Sequence, residues 1–247
     1  MEKKKIKLIA LDLDGTLLNE KREISEINYK AIKRAEGLGV HIVLTTGRTR
    51  PRSEEYLMAL KLTSYMITVN GSEIWDEEGN LLERTLLPNK YMKELVEIAQ
   101  HHSLSYKAIS TNKMWLSETP ENLEEHEWMT MLMDVRDNRL RKSITDSLQS
   151  NQEIEISNSS PTNIEVNAMG VTKARAIGEI CGKLNISMDD VMAIGDSLND
   201  LAMIQAAGIG VAMGNAQDEV KEAADWVAGT NIEDGVAQAI DKWILSR

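Results

Sequence analysis

Cysteine is almost missing from this chain: Cys181 stands alone among 247 residues. A single thiol excludes an intrachain disulfide and any cysteine-rich metal site, and it fits a reducing cytoplasm. Phenylalanine is absent altogether, and 13 methionines are available to fill core space in its place. No stretch approaches the ~20 apolar residues that a membrane helix needs. The basic start, Met1 to Lys7, runs into an apolar segment and superficially resembles a signal peptide. That segment, Ile6 to Leu11, ends after six residues at Asp12, which argues against export.

Positive charge is also scarce. Lys and Arg number 28 against 39 Asp and Glu, a net charge of −11. Bulk charge of that sign disfavours binding to nucleic acid or to an anionic membrane. The deficit divides almost evenly between residues 83–169 and the remainder, so no acidic tail accounts for it. Hydrophobic residues at 42% leave ample material for one large domain or two modest ones.

The first third of the chain alternates strand and helix. An apolar strand, Ile6–Leu11, precedes Asp12; Ser25 can cap a helix through Ile27, Ala31, Ala35 and Leu38, which Gly39 would end. Val40–Thr45 reads as a second strand, 51–60 as a helix and Tyr65–Val69 as a third strand, closed by the turn signal Asn70-Gly71. The last third repeats the rhythm: a helix over 172–184, a strand at Val191–Ile194, a helix over 198–206, a strand at 209–212, then helices near 218–224 and 234–245 around a short run at Trp226-Val227. This pattern predicts an α/β fold with a doubly wound, mostly parallel sheet.

The middle differs. A helix from Pro88 through Ala99 precedes two short strand-like runs, 105–109 and 114–116. An acidic helix is expected over Glu121–Met133, with Glu121, Glu124, Glu125 and Glu127 on its wet face. A helix near 138–148 and strands near 153–156 and 163–166 follow. Helix–strand–strand thus occurs twice, suggesting an internal duplication. The expectation is an α/β core of residues 1–83 and 170–247 and an inserted, smaller α+β cap domain of 84–169. In it, Trp115 and Trp128 are assigned to packing, as is Cys181 in the core, and His101-His102 to a helix end.

Chemistry concentrates in two loops. Asp12-Leu13-Asp14-Gly15-Thr16 follows the first strand, and Gly195-Asp196-Ser197-Leu198-Asn199-Asp200 follows the strand at 191–194. The carboxyl ends of strands line the ligand crevice of an open α/β sheet. If these strands are parallel neighbours, Asp12, Asp14, Asp196 and Asp200 gather at one spot. Clustered carboxylates resist ionising together unless a cation sits among them. A calcium loop matches Asp12, Asp14, Thr16 and Glu23, but Leu17 stands where that loop requires glycine, and the preceding segment is β-like rather than helical.

Phosphoryl chemistry uses the residues better. A phosphate monoester dianion repels nucleophiles, so a divalent cation and positive or amide donors must offset its charge. One carboxylate can then attack phosphorus, while a second protonates the departing alkoxide and later deprotonates water. Asp12 and Asp14 are near enough to serve one reacting centre. Thr46-Gly47 offers a hydroxyl and a backbone N–H to phosphate oxygens, or else forms a simple capped turn. Lys173 can neutralise phosphate only in company with these elements. The 195–200 loop is a natural Mg2+ half-site and also a helix cap, and both readings are compatible.

In this order the four elements, with Thr46-Gly47-Arg48 and Lys173, resemble the haloacid dehalogenase-like hydrolase superfamily. Gly210 to Ala216, Glu233 to Ala237 and Asn70-Gly71 are similar to its Cof-type phosphatase branch. The resemblance implies Asp12 as nucleophile and Asp14 as general acid/base. It implies Mg2+ held by the carboxylates of Asp12 and Asp196 and the backbone carbonyl of Asp14, with Asp200 in support. It places Thr46, Gly47, Lys173, Asn199 and the Leu13 backbone around the phosphate. Ala174 departs from the glycine that many relatives carry after the lysine. The implied activity is Mg2+-dependent hydrolysis of small phosphorylated metabolites, sugar phosphates foremost, flavin mononucleotide and pyridoxal phosphate next, with the inserted domain as a lid.

Two other readings share parts of this site. A phosphomutase uses the same aspartyl-phosphate step but returns the phosphoryl group to sugar. A receiver-type switch combines acids, a Thr and a Lys, but its phospho-acceptor follows the third strand, where this chain has Asn70-Gly71.

Overall fold

A computed structural model describes residues 5–245 of the chain; the basic start through Lys4 lies outside these residues. The chain forms two compact units, Met1–Leu82 with Thr172–Arg247, and Glu83–Val171. In order, the first stretch contains β1 (Leu8–Leu11), α1 (Glu26–Gly37), β2 (His41–Thr45), α2 (Glu54–Leu60), β3 (Met66–Thr68), β4 (Glu73–Trp75) and β5 (Leu81–Arg84). The inserted stretch adds α3 (Asn89–His101), β6 (Ser105–Ser110), β7 (Met114–Leu116), β8 (Trp128–Asp134), α4 (Asn138–Gln149), β9 (Ile154–Ser157) and β10 (Asn163–Ala168). The return to the first unit supplies α5 (Lys173–Leu184), β11 (Val191–Gly195), α6 (Leu198–Ala206), β12 (Ile209–Ala212), α7 (Asp218–Ala223), β13 (Trp226–Val227) and α8 (Gly235–Ile240), which runs into a π-helical turn, Asp241–Leu245.

The first unit carries an eight-stranded sheet in the order β13-β12-β11-β1-β2-β3-β4-β5. Pairings from β13 across to β3 are parallel, and β4 pairs antiparallel with β3. Near-continuous apolar runs are what a sheet covered on both faces demands. Every residue of β1, β11 and β12 is buried accordingly.

Helix starts are set by side-chain caps. Ser25 Oγ accepts from the Asn28 N–H at 3.0 Å, and Thr172 Oγ1 accepts from the Arg175 N–H at 3.1 Å. The second cap places Lys173 in the first turn of α5, while Ala176, Ile177, Ile180 and Cys181 face the core. The turn after β3 abuts the same spot. Gly71 has φ +102°, and a Cβ there would lie 2.5 Å from the Thr172 carbonyl oxygen, so the close approach excludes any side chain.

In the second unit, five antiparallel strands run β7-β6-β8-β10-β9. The expected acidic helix over 121–133 does not form. Only a single 3-10 turn, Leu123–Glu125, occupies its start, and Trp128–Asp134 is the middle strand of the sheet. Ladder partners on both sides, β6 and β10, override the helix propensity of Met and Leu here. The proposed duplication weakens with it, since α3 is followed by three strands and α4 by two. The short strands β4 and β5 also escaped the sequence reading. They flank a turn in which the Asp76 N–H donates to the Asn80 carbonyl at 2.9 Å.

Trp128 is fully buried in the core of this second unit, and its indole Nε1 donates to the Leu123 carbonyl at 2.9 Å. Trp128→Ala is expected to cost about 3–5 kcal/mol. Denaturant unfolding would measure it, and an unmoved midpoint would show that the indole does not anchor this core.

Candidate active site

β1 and β11 lie side by side with Leu11 opposite Ile194, and the Asp12 N–H donates to the Ile194 carbonyl at 3.1 Å. Both chains leave the sheet at their carboxyl ends, so Asp12 emerges beside Gly195-Asp196. Asp12, Asp196 and Asp200 each place a carboxylate oxygen within 4.8 Å of the others. Asp14 does not join this cluster through its side chain. Its two oxygens take the Arg48 guanidinium instead, Nη2 to Oδ1 at 2.6 Å and Nε to Oδ2 at 2.7 Å. The gathering of four carboxylates foreseen from sequence is therefore a gathering of three, and a metal ligand from Asp14 would have to be its backbone carbonyl.

Lys173 sits beneath the acids with its side chain 0% exposed. Its Nζ donates to Asp12 Oδ1 and to Asp200 Oδ1, both at 2.6 Å. Asp200 spends its other oxygen on the backbone, accepting from the N–H groups of Asp196 at 2.9 Å and Ser197 at 3.1 Å. It therefore caps α6 and orders the loop in the same act. Asp196 is held from two sides, by Thr16 Oγ1 at 3.0 Å and Ser197 Oγ at 3.0 Å. Gly15, at φ +81°, lets the first loop pass, since a Cβ would fall 2.5 Å from Asp196 Oδ2.

Burial dominates the electrostatics. It pushes the Asp12 carboxyl well above its usual range; Lys173 opposes the rise, and Asp200 and Asp196 add to it. Asp196 is pushed up to about 7 by burial and then by Asp200, against the hydrogen bonds from Thr16 and Ser197. Burial alone would lower Lys173, but Asp12 and Asp200 outweigh it and hold the ammonium above the ordinary lysine value. Once ionised, three acids against one ammonium leave excess negative charge lined with hard oxygen donors. That donor set fits Mg2+ or a similar hard divalent cation.

The remaining predicted residues border the same loops. Thr46 is buried at the end of β2, and its Oγ1 accepts from the Arg48 N–H at 3.1 Å. A Cβ on Gly47 would sit 3.1 Å from Asn70 Oδ1, so Gly47 and Asn70 are adjacent. Asn199 Nδ2 donates to that same Oδ1 at 3.1 Å, while Asn199 Oδ1 is buried without a partner among the described residues. Leu13 is buried, and its carbonyl accepts from the Leu18 N–H at 2.9 Å.

Sequence reasoning gave no site role to Asn215 and used Arg48 only as part of the Thr46-Gly47-Arg48 motif. It used Asn70 only as a turn signal and a mark of the Cof-type branch, took Ser197 only as a candidate helix cap within its loop motif, and met Thr16 only in the first loop motif and the disfavoured calcium loop. Asn70 sits in left-handed backbone at φ 58°, which the Asn-Gly turn signal does announce. Asn215 Nδ2 donates to the Gly15 carbonyl at 2.8 Å and so braces the first loop from 200 residues away. No local pattern announces that contact.

A protein-family model for haloacid dehalogenase-like hydrolases matches residues 9–132 and 117–240. The chain belongs to this family, in the Cof-type branch its motifs resembled, and it is a phosphoric monoester hydrolase. It is 52% identical over 240 residues to the 5-amino-6-(5-phospho-D-ribitylamino)uracil phosphatase YcsE of Bacillus subtilis (strain 168), covering 97% of this chain and 96% of that protein. A haloacid dehalogenase-like hydrolase from B. subtilis superposes with TM-score 0.88 at 26% identity, covering 96% of this chain and 99% of that one. The subclass IIB sugar phosphatase BT4131 superposes with TM-score 0.85 at 26% identity, covering 96% and 98%. Among the described residues, no helix is long and apolar enough to cross a membrane.

Two outcomes follow from the charge balance. Lys173→Met leaves Asp12 and Asp200 buried without a counter-ion, and is expected to destabilise the cation-free protein by roughly 3–5 kcal/mol. Chemical denaturation checks it; an unaltered stability would mean the ion triad is not what closes the site.

The second outcome concerns pH. The folded protein retains protons on Asp196, and on Asp12, that the unfolded chain releases near its ordinary carboxylate pKa of 3.8. The cation-free stability therefore falls as pH rises from about 4 towards the Asp196 value of about 7. A divalent cation binds the charged form, so the Tm gain on adding Mg2+ should be larger at mildly alkaline than at mildly acidic pH. A gain that does not depend on pH would remove the acid cluster as the cation site.

Proposed function

We propose that this protein is a Mg2+-dependent phosphatase that hydrolyses 5-amino-6-(5-phospho-D-ribitylamino)uracil through an aspartyl phosphate on Asp12. The observation that carries the chemistry is the convergence of Asp12, Asp196 and Asp200 over a buried Lys173 at the carboxyl ends of β1 and β11. Support for the substrate comes from the 52% identity, across nearly the whole chain, to a phosphatase named for it. That substrate carries its phosphate on a ribityl chain, a sugar alcohol, and so differs from the sugar phosphates expected foremost from sequence.

The chain's groups divide the work. Asp12 attacks phosphorus as the ester P–O bond breaks, and Asp14 delivers a proton to the departing ribityl oxygen. Water then attacks the phosphorus of the aspartyl phosphate, Asp14 takes its proton, and inorganic phosphate leaves with Asp12 restored. Lys173 holds Asp12 in place, and Thr46, Gly47 and Asn199, with the Leu13 backbone, receive the phosphate oxygens. Asp12, Asp196 and the Asp14 carbonyl would hold Mg2+, with Asp200 in support; the ion offsets the charge of the phosphate dianion. We assign catalysis to residues 1–83 and 170–247 and leaving-group selection to the inserted domain, 84–169. The single, buried Cys181 suits a cytoplasmic enzyme.

Asp12→Asn should abolish phosphate release while leaving the circular dichroism spectrum unaltered, and turnover retained in that variant would strip Asp12 of its role. Among phosphorylated metabolites assayed with Mg2+, the ribitylaminouracil phosphate should give a higher kcat/KM than flavin mononucleotide, pyridoxal phosphate and hexose phosphates. A different best substrate would reassign the leaving group and leave the phosphatase reading intact.

A further inference from the structure

Arg48 borders the site, and the reaction above gives it no role although its side chain is held on several sides. Its backbone is pinned at both ends: the N–H donates to Thr46 Oγ1 at 3.1 Å, and the carbonyl accepts from the Val69 N–H at 3.0 Å. Its guanidinium lies over the Tyr56 ring, 5.0 Å from the centroid, and Nη1 donates to the Tyr56 hydroxyl at 3.0 Å and the Arg52 carbonyl at 3.2 Å. Tyr56 is itself buried in the core. What remains of the guanidinium, Nε and Nη2, grips both oxygens of Asp14. The Arg48 side chain is 14% exposed, whereas that of Asp14 is 55% exposed.

An exposed carboxylate on a loop ordinarily samples several rotamers. Here a two-point contact to a planar, rigidly braced fork removes that freedom. We infer that Arg48 is a positioning residue for Asp14, fixing the direction in which that carboxyl meets the oxygen of the leaving group. The inference rests on the phosphatase reading and adds to it a residue whose effect depends on the ester. An alkyl ester departs as a strongly basic alkoxide and needs the proton Asp14 supplies. A p-nitrophenyl ester departs as a stable phenolate and needs it far less. Since kcat/KM reports only the steps through leaving-group departure, water attack does not blur the comparison.

The experiment compares wild type, R48M, D14N and the double variant, with Mg2+, on ribitol phosphate and p-nitrophenyl phosphate. R48M should lower kcat/KM for ribitol phosphate at least about ten-fold more than for p-nitrophenyl phosphate, a part of what general acid catalysis supplies. R48K should behave like R48M, because a point charge cannot span both Asp14 oxygens while bracing on Tyr56 and Arg52. Tyr56→Phe should shift the ratio in the same direction by less. In the D14N background, R48M should cost little more.

Equal losses on both esters, or an undiminished loss when Asp14 is already Asn, would overturn the positioning role. That result would mark Arg48 as a phosphate ligand or a structural residue. Wild-type protein that turns over neither ester would overturn this inference together with the phosphatase reading; normal wild-type turnover with an unshifted ratio would overturn this inference alone.

Discussion

The contact on which the site depends is one ammonium, Lys173, sealed from water between Asp12 and Asp200. A buried charge is tolerated only with partners, and each partner here has a second duty. Asp200 ties the loop that carries Asp196 by accepting two of its backbone N–H groups. Asp12 stands at the end of the innermost strand. Removing the lysine would thus loosen the cluster and the loop after β11 at once.

The sheet supplies the precision. Parallel neighbours with matched register deliver Asp12 and Asp196 to the same level without any contact between their own loops being required. Loops then refine the placement. Gly15 lets the first loop lie against the Asp196 carboxylate, and Gly71 lets the turn after β3 touch the start of α5. Thr16 and Ser197 orient Asp196, and Asn215 braces the first loop from the far end of the chain. Burial has a chemical consequence: with Asp12 and Asp196 pushed upward, the site favours either protons or a divalent cation, and phosphate adds to that demand.

Legibility differed between the two units for physical reasons. In the first, β1 and β11 are apolar runs ended by acids, and such runs are read directly from sequence. Short β4, with three residues, carries too little pattern to be seen. In the second, the stretch from Glu121 to Met133 looked helical because its acids and methionines favour a helix locally. Pairing with β6 on one side and β10 on the other decided otherwise, and no local signal reports a ladder partner that lies 18 or more residues away.

The amino-acid sequence by itself determined the class of fold, the identity of the acids that could gather, and the chemistry open to them, because strand ends, glycine turns and acid spacing are local properties. It named Asp12, Asp196, Asp200, Lys173, Thr46, Gly47 and Asn199. Tertiary structure alone decided that Asp14 turns its carboxylate to Arg48, that Asn70 meets Asn199, and that Lys173 is a buried counter-ion rather than a solvated charge. Each of those outcomes joins residues separated by tens of positions or more. What a side chain touches there is set by the packing of whole strands and helices.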